Sequence, residues 1–260
     1  VLNKQAMVNA GLKFVLYNET ETGMEMFEYY YENGIVDYVK ETVGDDGFTT
    51  VETWEMEREG RDRADKEDYR MKMQVAFCFS NKVNMLEYYH NSSYLEHGGS
   101  PDKAVRNAFV YAIDRYLKQN DKYNKNDSKI TFADVADCLA LVINSFSTQT
   151  SYENQTKKAI NNKFIQDAMT EFLRQQLEVY FIENKTDAEK IANQVLVNKK
   201  SRENAEKARI DIKKKLTGTM DITNRVEKFV DCRSKDVSQR EVYIVEGDSA
   251  LGSCKLARDP

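Results

Sequence analysis

The chain has 260 residues, of which 41% are hydrophobic and 31% charged, and its net charge is −5. Proline is scarce and aromatic residues are abundant, a composition that indicates a folded globular protein and excludes a disordered one. No apolar run is long enough to span a membrane and no secretory signal is found, so we expect a cytoplasmic protein without a membrane partner. The cysteines form no CxxC pair, which argues against a zinc site.

Alternating patterns predict strands in the first third of the chain. The stretches "LKFVLYN" and "MFEYYYEN" predict a hairpin with its turn at Glu19–Gly23, and "GIVDYVKETV" after them has helical spacing. Next, "FTTVETWEME" and "YRMKMQVAFCFS" predict two long strands joined by an acidic segment. Over residues 41–70 acidic residues outnumber basic ones by eleven to five, which is typical of a solvated hairpin or loop.

The middle of the chain is predicted to be mainly helical. The stretch "GGSPDKAVRNAFVYAIDRYL" predicts a helix with Ser100 as N-cap and Pro101 at its first position, and "CLALVINSFS" predicts a buried strand. Helices are then predicted over 162–180 and 186–216, the second opening with a capping box at Thr186. A helix of this length is expected to bridge two bodies.

Basic residues are concentrated in the second half of the longer predicted helix. Over residues 199–215 they outnumber acidic residues by eight to three. This excess fits a solvated helix face or a surface that binds phosphates, and the charges alone leave both interpretations open.

The C-terminal residues contain the most reactive-looking groups. An apolar run, Val242–Val245, predicts a strand and is followed by "EGDS". A carboxylate at a strand end, here Glu246, is able to bind a hard divalent cation or to transfer a proton, although a solvated turn would contain the same residues. The spacing of Gly247 and Gly252 does not make a phosphate-binding P-loop, because "SC" follows Gly252 where that motif needs lysine and then serine or threonine.

Several segments resemble one protein family. The stretch "VYIVEGDSALGSCKLARD" closely resembles the start of the Toprim domain in the B subunits of type II DNA topoisomerases, the family of DNA gyrase B and topoisomerase IV B. Upstream, "YYYENGIVDYVKETV", "YENQTKKAI" and "IENKTDAEKI" resemble segments of the family's transducer domain, and "HGGSPDKAVRNAF" matches a family motif loosely, without its histidine. The chain departs from the Toprim pattern at Leu251, Cys254 and Pro260.

The resemblance implies an α+β fold made of successive parts. These are a transducer domain with a ribosomal-protein-S5-like fold over 1–185, a long connecting helix over 186–216, a linker over 217–240, and the start of an α/β Toprim domain, with its first strand, over 241–260. We also expect the chain to be the middle piece of a larger subunit, with an ATPase domain before it and the rest of the Toprim domain after it.

The resemblance also implies a function. The whole subunit would be an ATP-hydrolysing type II DNA topoisomerase, in which this segment couples ATP binding and hydrolysis to DNA cleavage and strand passage, and the piece alone is expected to be inactive. The implied partners are DNA, the A subunit of gyrase or topoisomerase IV, and a second copy joined through the ATPase domain; the implied cofactors are ATP and Mg²⁺. The alternatives are a non-catalytic interaction module with the same fold and another Toprim enzyme, such as a primase or nuclease.

The same resemblance assigns individual residues. Gln155 and Lys157, which match the family's Q-T-K loop, are expected to reach the γ-phosphate of ATP in the neighbouring ATPase domain, and a lysine ammonium suits that charge. Glu246 is expected to serve as general acid/base and as a Mg²⁺ ligand, together with aspartates further downstream in the family. Lys255 and Arg258 are expected to contact DNA. Without the resemblance, the Q-T-K stretch would be interpreted as a solvated loop.

Overall fold

A computed structural model describes residues 1–125, 127–218, 228–229, 234 and 236–257, with the backbone alone for 215–218. Its helices are α1 (Leu2–Val8), α2 (Ile35–Val43), α3 (Ser100–Gln119), α4 (Phe132–Ala136), α5 (Lys163–Glu183), α6 (Lys185–Gly218) and α7 (Gly247–Ala257). Its strands are β1 (Phe14–Thr20), β2 (Gly23–Tyr29), β3 (Glu52–Gly60), β4 (Tyr69–Phe79), β5 (Met85–His90), β6 (Ser93–Tyr94), β7 (Gly98–Gly99), β8 (Leu139–Ser147) and β9 (Ala159–Ile160). The chain divides into two units, Val1–Arg202 and Glu203–Pro260.

The first unit is built around a five-stranded sheet with the strand order β3-β4-β8-β5-β6. Strands β5 and β8 pair in parallel, and the other neighbouring strands pair antiparallel. Alternate residues of β4 face opposite sides: Val75 and Phe77 belong to one core cluster, and Ala76 and Cys78 to another. Because both faces are covered, β4 is apolar at nearly every position of its second half.

Helices cover the two faces of this sheet. Helices α3 and α5 and the first half of α6 contribute to the larger cluster, in which the rings of Phe77 and Phe109 meet edge to face at 5.5 Å. Helices α1 and α2 cover the other face through Met7 and Val39, among other residues. Each fully buried side chain of this size contributes about 1.5–3 kcal/mol to folding, so the sheet and its helices form one stable unit.

The structure confirms the strands and helices that were predicted in this unit and corrects two helix starts; it also contains six elements that were not predicted, namely α1, α4, β5, β6, β7 and β9. Ser100 is the first residue of α3 and Gly99 is its N-cap; the Ser100 hydroxyl donates instead to the carbonyls of Ile160 and Asn162. Thr186 lies inside α6, so it cannot be the predicted N-cap. The Ser100 prediction failed because carbonyl groups at the end of the β8–α5 loop take its hydroxyl, and the Thr186 prediction failed because α6 begins one residue earlier, at Lys185.

Helix α6 changes its surroundings along its length. Four apolar residues of its first half are buried in the core, namely Ala188, Ile191, Ala192 and Val195, whereas residues 204–214 are exposed. At the end of the first unit Arg202 donates to both carboxylate oxygens of Asp134, at 2.6 and 3.1 Å. Burial by itself would raise the pKa of Asp134, but the hydrogen bonds from Arg202 and Thr131 hold it below its ordinary value.

The second unit does not contain the strand predicted at Val242–Val245. These residues are irregular, and Tyr243 and Ile244 are 73% and 94% exposed. The described part of this unit offers no second strand for backbone pairing, and a lone strand is not stable in water. Helix α7 follows directly after Glu246 and was not predicted. Most of the predicted linker over 217–240 lies outside the described residues, and the predicted domain boundaries remain predictions.

Within the described residues, no helix is both long and apolar enough to cross a membrane.

Candidate functional site

The loop of residues 147–162, which runs from the last residue of β8 to the start of α5, contains the Q-T-K stretch and is folded back on itself. Tyr152 forms an antiparallel bridge with Ile160. The Glu153 amide donates to the Ala159 carbonyl at 3.0 Å. These backbone contacts make the loop a narrow hairpin whose tip consists of residues 154–158.

The tip itself is a tight turn. The Lys157 amide donates to the Asn154 carbonyl at 3.2 Å, and the Thr156 hydroxyl donates to the Asn154 side chain at 2.5 Å. Lys157 has a φ of +57°, a left-handed conformation that costs a residue with a side chain about 1–2 kcal/mol. Gln155 and Lys157 are both exposed. The structure therefore brings these two predicted residues together on one exposed turn.

The two neighbouring lysines of this tip have different partners. The Lys158 ammonium is 2.5 Å from the carboxylate of Glu96, and the Lys158 carbonyl accepts from the His97 amide at 2.9 Å. The Lys157 ammonium lies 5.5 Å from the centre of the Tyr152 ring and, among the described residues, forms no ion pair. Lys157 is thus the lysine of this turn whose positive charge is not compensated by a carboxylate.

The C-terminal end of the loop is fixed by close backbone contact. Strand β9 pairs in parallel with β7, with Gly99 opposite Ile160. A β-carbon on Gly99 would lie 2.1 Å from the carbonyl oxygen of Ile160, and Gly99 has a φ of +83°. Only glycine accommodates both conditions. The C-terminal end of the loop, at Ile160, is therefore in direct contact with Gly99 at the start of α3.

A buried asparagine completes this attachment. Asn162 is 2% exposed; its oxygen accepts from the Ser151 amide at 2.7 Å, and its amide group donates to Asp62 at 2.9 Å and to the Tyr69 hydroxyl at 3.0 Å. Burial and the hydrogen bond to Asp62 raise the pKa of Tyr69, so this phenol stays protonated at neutral pH. Asn162 thereby ties both ends of the loop to the hairpin of β3 and β4.

The N-terminal end of the loop is held by a buried histidine. His90, the last residue of β5, is 0% exposed. Its Nδ1 lies 2.8 Å from the Ser145 hydroxyl, and its Nε2 lies 3.0 Å from the hydroxyls of Ser147 and Thr150. Burial lowers the pKa of His90 to about 4, so the ring is neutral at physiological pH. The sequence analysis did not identify this residue, because its partners lie more than fifty positions away.

The residues predicted around Glu246 are not assembled into a site within the described part of the chain. Glu246 is exposed and precedes α7, and the nearby Asp248 pairs with Lys228 at 2.5 Å. No group of three or more metal-ligating side chains occurs among the described residues. Mg²⁺ is bound in proteins by one or two carboxylates together with waters and other oxygens, so Glu246 fits as one ligand, and the assignment of Mg²⁺ to it remains a prediction. Lys255 is exposed on α7, and Arg258 lies outside the described residues.

Comparison with known sequences gives consistent matches. The family model described as DNA gyrase B matches residues 34–210. The DNA gyrase B protein of Mycoplasma pneumoniae is 29% identical over 265 residues, covering 99% of this chain and 40% of that protein. The DNA gyrase B protein of Metamycoplasma hominis is 31% identical over 255 residues, covering 98% of this chain and 39% of that protein. The chain thus spans about two fifths of the length of these relatives.

Solved structures support the fold. The 43K ATPase domain of Thermus thermophilus gyrase B, in complex with an aminocoumarin, matches with a TM-score of 0.61 at 20% identity, covering 80% of this chain and 54% of that one. The ATP-binding domain of topoisomerase IV from Francisella tularensis matches with a TM-score of 0.57 at 20% identity, covering 77% of this chain and 52% of that one. These matches therefore confirm the mixed α/β fold that was predicted from the sequence.

Proposed function

Since this chain belongs to the DNA gyrase B family, we propose that it is a coupling segment of an ATP-dependent type II DNA topoisomerase. In that role it transmits the presence or absence of the ATP γ-phosphate to the part of the enzyme that cleaves and passes DNA. The proposed partners are DNA, the A subunit of a gyrase or topoisomerase IV, and a second copy of the protein. Residues 1–260 alone are proposed to lack ATP turnover and DNA cleavage.

The observation that carries this proposal is the contrast between Lys157 and Lys158. Lys158 is neutralised by Glu96, whereas Lys157 is exposed on the turn with no carboxylate partner among the described residues. A flexible ammonium without a counter-ion is suited to a terminal phosphate, and the exposed amide of Gln155 adds a hydrogen-bond donor. The residues present therefore fit the phosphate end of ATP.

The way in which the loop is attached to the core also suits such a contact. Its tip is exposed, while both of its ends are attached to buried polar groups of the core. ATP supplies the charged γ-phosphate, and hydrolysis removes the group that Lys157 binds. When Lys157 loses its partner, the loop no longer favours the nucleotide-bound arrangement, and this loss is the proposed signal to the rest of the subunit.

The proposal extends to the C-terminal segment, of which Glu246 and Lys255 lie within the described residues and Arg258 lies outside them. We assign to Glu246 the role of a carboxylate in the DNA-cleavage centre, where further ligands must come from elsewhere in the subunit if Mg²⁺ binds. Lys255 and Arg258 are proposed to contact the phosphate backbone of DNA, because basic side chains provide sequence-independent attraction to phosphates; Lys255 is exposed.

The lysine pair provides the experiment. In the complete subunit, Lys157→Ala should lower ATP turnover at least about tenfold, since it removes a charge that contacts the reacting phosphate. DNA cleavage measured without nucleotide should remain. Lys158→Ala is the matched control, because it removes the same charge one residue away and leaves turnover within about twofold, as expected for an exposed ion pair.

Two results would contradict the proposal. ATP turnover that is equal in Lys157→Ala and the parent protein would show that the loop does not contact the phosphate, and it would favour a non-catalytic interaction module. Equal losses in the two lysine variants would show a general dependence on the charge of the tip and not a specific contact by Lys157.

A further inference from the structure

The two ends of the loop are attached by different means. The C-terminal end has backbone pairing between β7 and β9 in addition to the contacts of Asn162. The N-terminal end, residues 147–151, has backbone hydrogen bonds from Thr148 to Arg70 and from Asn161 to Ser151. It is held in addition by side chains at the end of β5, namely His90 and Asn91. A change in these side-chain contacts would therefore loosen the N-terminal end of the loop between its backbone attachments at Thr148 and Ser151 and leave the C-terminal end in place.

The proton positions in this cluster follow from its other hydrogen bonds. The Ser145 hydroxyl donates its single proton to the Tyr89 carbonyl at 3.0 Å, so it accepts from Nδ1–H of His90. The Ser147 hydroxyl donates to the Gln149 carbonyl at 2.7 Å, which leaves the Thr150 hydroxyl as the donor to Nε2 of His90. The neutral ring thus uses one nitrogen as donor and the other as acceptor.

Thr150 is the member of this cluster that belongs to the loop itself. Its hydroxyl donates to His90 and accepts from the Asn91 amide group at 3.1 Å. Asn91 also exchanges hydrogen bonds with the backbone of Ser147, because it accepts from the Ser147 amide at 3.1 Å and donates to the Ser147 carbonyl at 3.2 Å. The Thr150 hydroxyl therefore connects the loop to a buried strand end two residues before the hairpin begins at Tyr152.

We propose that His90 and Thr150 are positioning residues that hold the 152–158 hairpin in the orientation in which Lys157 meets the ATP γ-phosphate. This inference rests on the function proposed above. Neither residue touches ATP; they act through the loop. The neutral imidazole suits the task, since it supplies a buried donor and acceptor in fixed directions without adding a charge that would compete with Lys157 for the phosphate.

The structural half of the inference is tested on the chain of residues 1–260. Thr150→Val keeps the shape of the side chain but removes the hydroxyl, so amide hydrogen exchange over residues 151–158 should rise about tenfold. Exchange in strand β8 should stay unchanged. Thr150→Ser should restore protection, because it restores the hydroxyl. Thr148→Val is the matched control, since the exposed side chain of Thr148 accepts one long hydrogen bond, from the Arg70 amide at 3.4 Å, and the substitution leaves the backbone hydrogen bond from the Thr148 amide to the Arg70 carbonyl in place.

The functional half is tested by ATP turnover of the complete subunit. Thr150→Val should lower kcat about tenfold with little change in KM, because it misplaces a contact to the reacting phosphate, and Thr150→Ser should recover it. In the Lys157→Ala background, Thr150→Val should cause no further loss, since both changes remove the same contact. A general loss of stability would instead lower turnover by the same factor in both backgrounds.

The outcomes separate the two proposals. If Lys157→Ala impairs turnover and Thr150→Val does not, or if the two losses multiply, the positioning role is wrong while the proposed function stands. If Lys157→Ala has no effect, the proposed function fails and the role of Thr150 in ATP turnover fails with it. Loop exchange that is equal in Thr150→Val and Thr148→Val would overturn the positioning role on structural grounds alone.

Discussion

The loop of residues 147–162 and the segment of residues 241–257 both contain groups assigned to chemistry, but their surroundings differ. The loop ends in buried hydrogen bonds made by His90 and Asn162. The C-terminal segment was assigned its chemistry by a resemblance in sequence, and its residues Tyr243, Ile244 and Glu246 are exposed. A motif identifies the chemistry of a side chain, whereas its position is determined by the packing around it.

This difference predicts where substitutions will cost stability. A substitution in the core of the first unit or at the loop attachments disturbs buried contacts and should lower the free energy of unfolding. A change among the exposed residues of the second unit should be almost neutral.

The largest effect is expected from proline in the packed half of α6. Ala192 is buried and Ala205 on the same helix is exposed. Ala192→Pro should lower the free energy of unfolding of the first unit by at least about 3 kcal/mol, since proline removes a helical hydrogen bond and also displaces buried neighbours. Ala205→Pro should disturb α6 locally and leave the melting temperature of the first unit unchanged.

Thermal unfolding of the two variants, followed by circular dichroism and calorimetry, measures this contrast. The comparison of the units fails if Ala205→Pro lowers the melting temperature as much as Ala192→Pro does. Such a result would mean that the helix beyond Arg202 contributes to the stability of the core.

The longer helices of the first unit and its strands β1, β2, β3, β4 and β8 were predictable because their apolar residues follow strand and helix periods. In the first half of β4, for example, alternate residues are buried, and the alternation of apolar and polar residues in the sequence predicts this burial. The attachments of the loop were not predictable. His90 lies at an ordinary-looking strand end, and its partners Ser145 and Thr150 lie more than fifty positions away in the chain. Local patterns contain no information on such distant pairings.

Predictions failed where tertiary partners replaced local ones. Ser100 was predicted to cap α3, but its hydroxyl binds the carbonyl groups at the end of the loop. A capping hydrogen-bond pair does occur at Thr131 and Asp134, whose amide and carboxylate are 2.7 Å apart, and the sequence analysis did not identify it. The strand predicted at Val242–Val245 has no partner strand among the described residues, so its apolar pattern alone does not produce a strand.

A smaller effect on stability is expected from the buried imidazole of His90, which is one of the loop attachments of the first unit. The pKa of His90 is about 4 in the fold, below its ordinary value of 6.5, so the unfolded chain binds a proton that the folded chain excludes. Stability is therefore complete above pH 6.5 and is lost as the pH falls toward 4. Between pH 7 and pH 5 the loss from this residue should be about 2 kcal/mol.

Urea unfolding at pH 7 and pH 5 measures this loss. His90→Gln should lower stability at pH 7 but flatten its dependence on pH, because glutamine does not titrate. His97→Gln is the control, since His97 is exposed, and the pH dependence should persist in it. A pH dependence that is equal in the parent chain and in His90→Gln would show that His90 is not the group responsible.

The smallest effect on stability is expected at Glu246, and it tests the other side of the comparison. Glu246→Gln keeps the shape and removes the charge of an exposed residue, so the free energy of unfolding should change by less than about 0.5 kcal/mol. In the complete subunit the same variant should lose metal-dependent DNA cleavage and retain ATP turnover, since hard cations prefer carboxylate oxygens to amides. Glu241→Gln, another exposed carboxylate of the segment, should leave cleavage intact. Normal cleavage by Glu246→Gln would show that the acidic segment is a solvated turn and that the resemblance of this segment to a Toprim domain does not extend to the chemistry of Glu246.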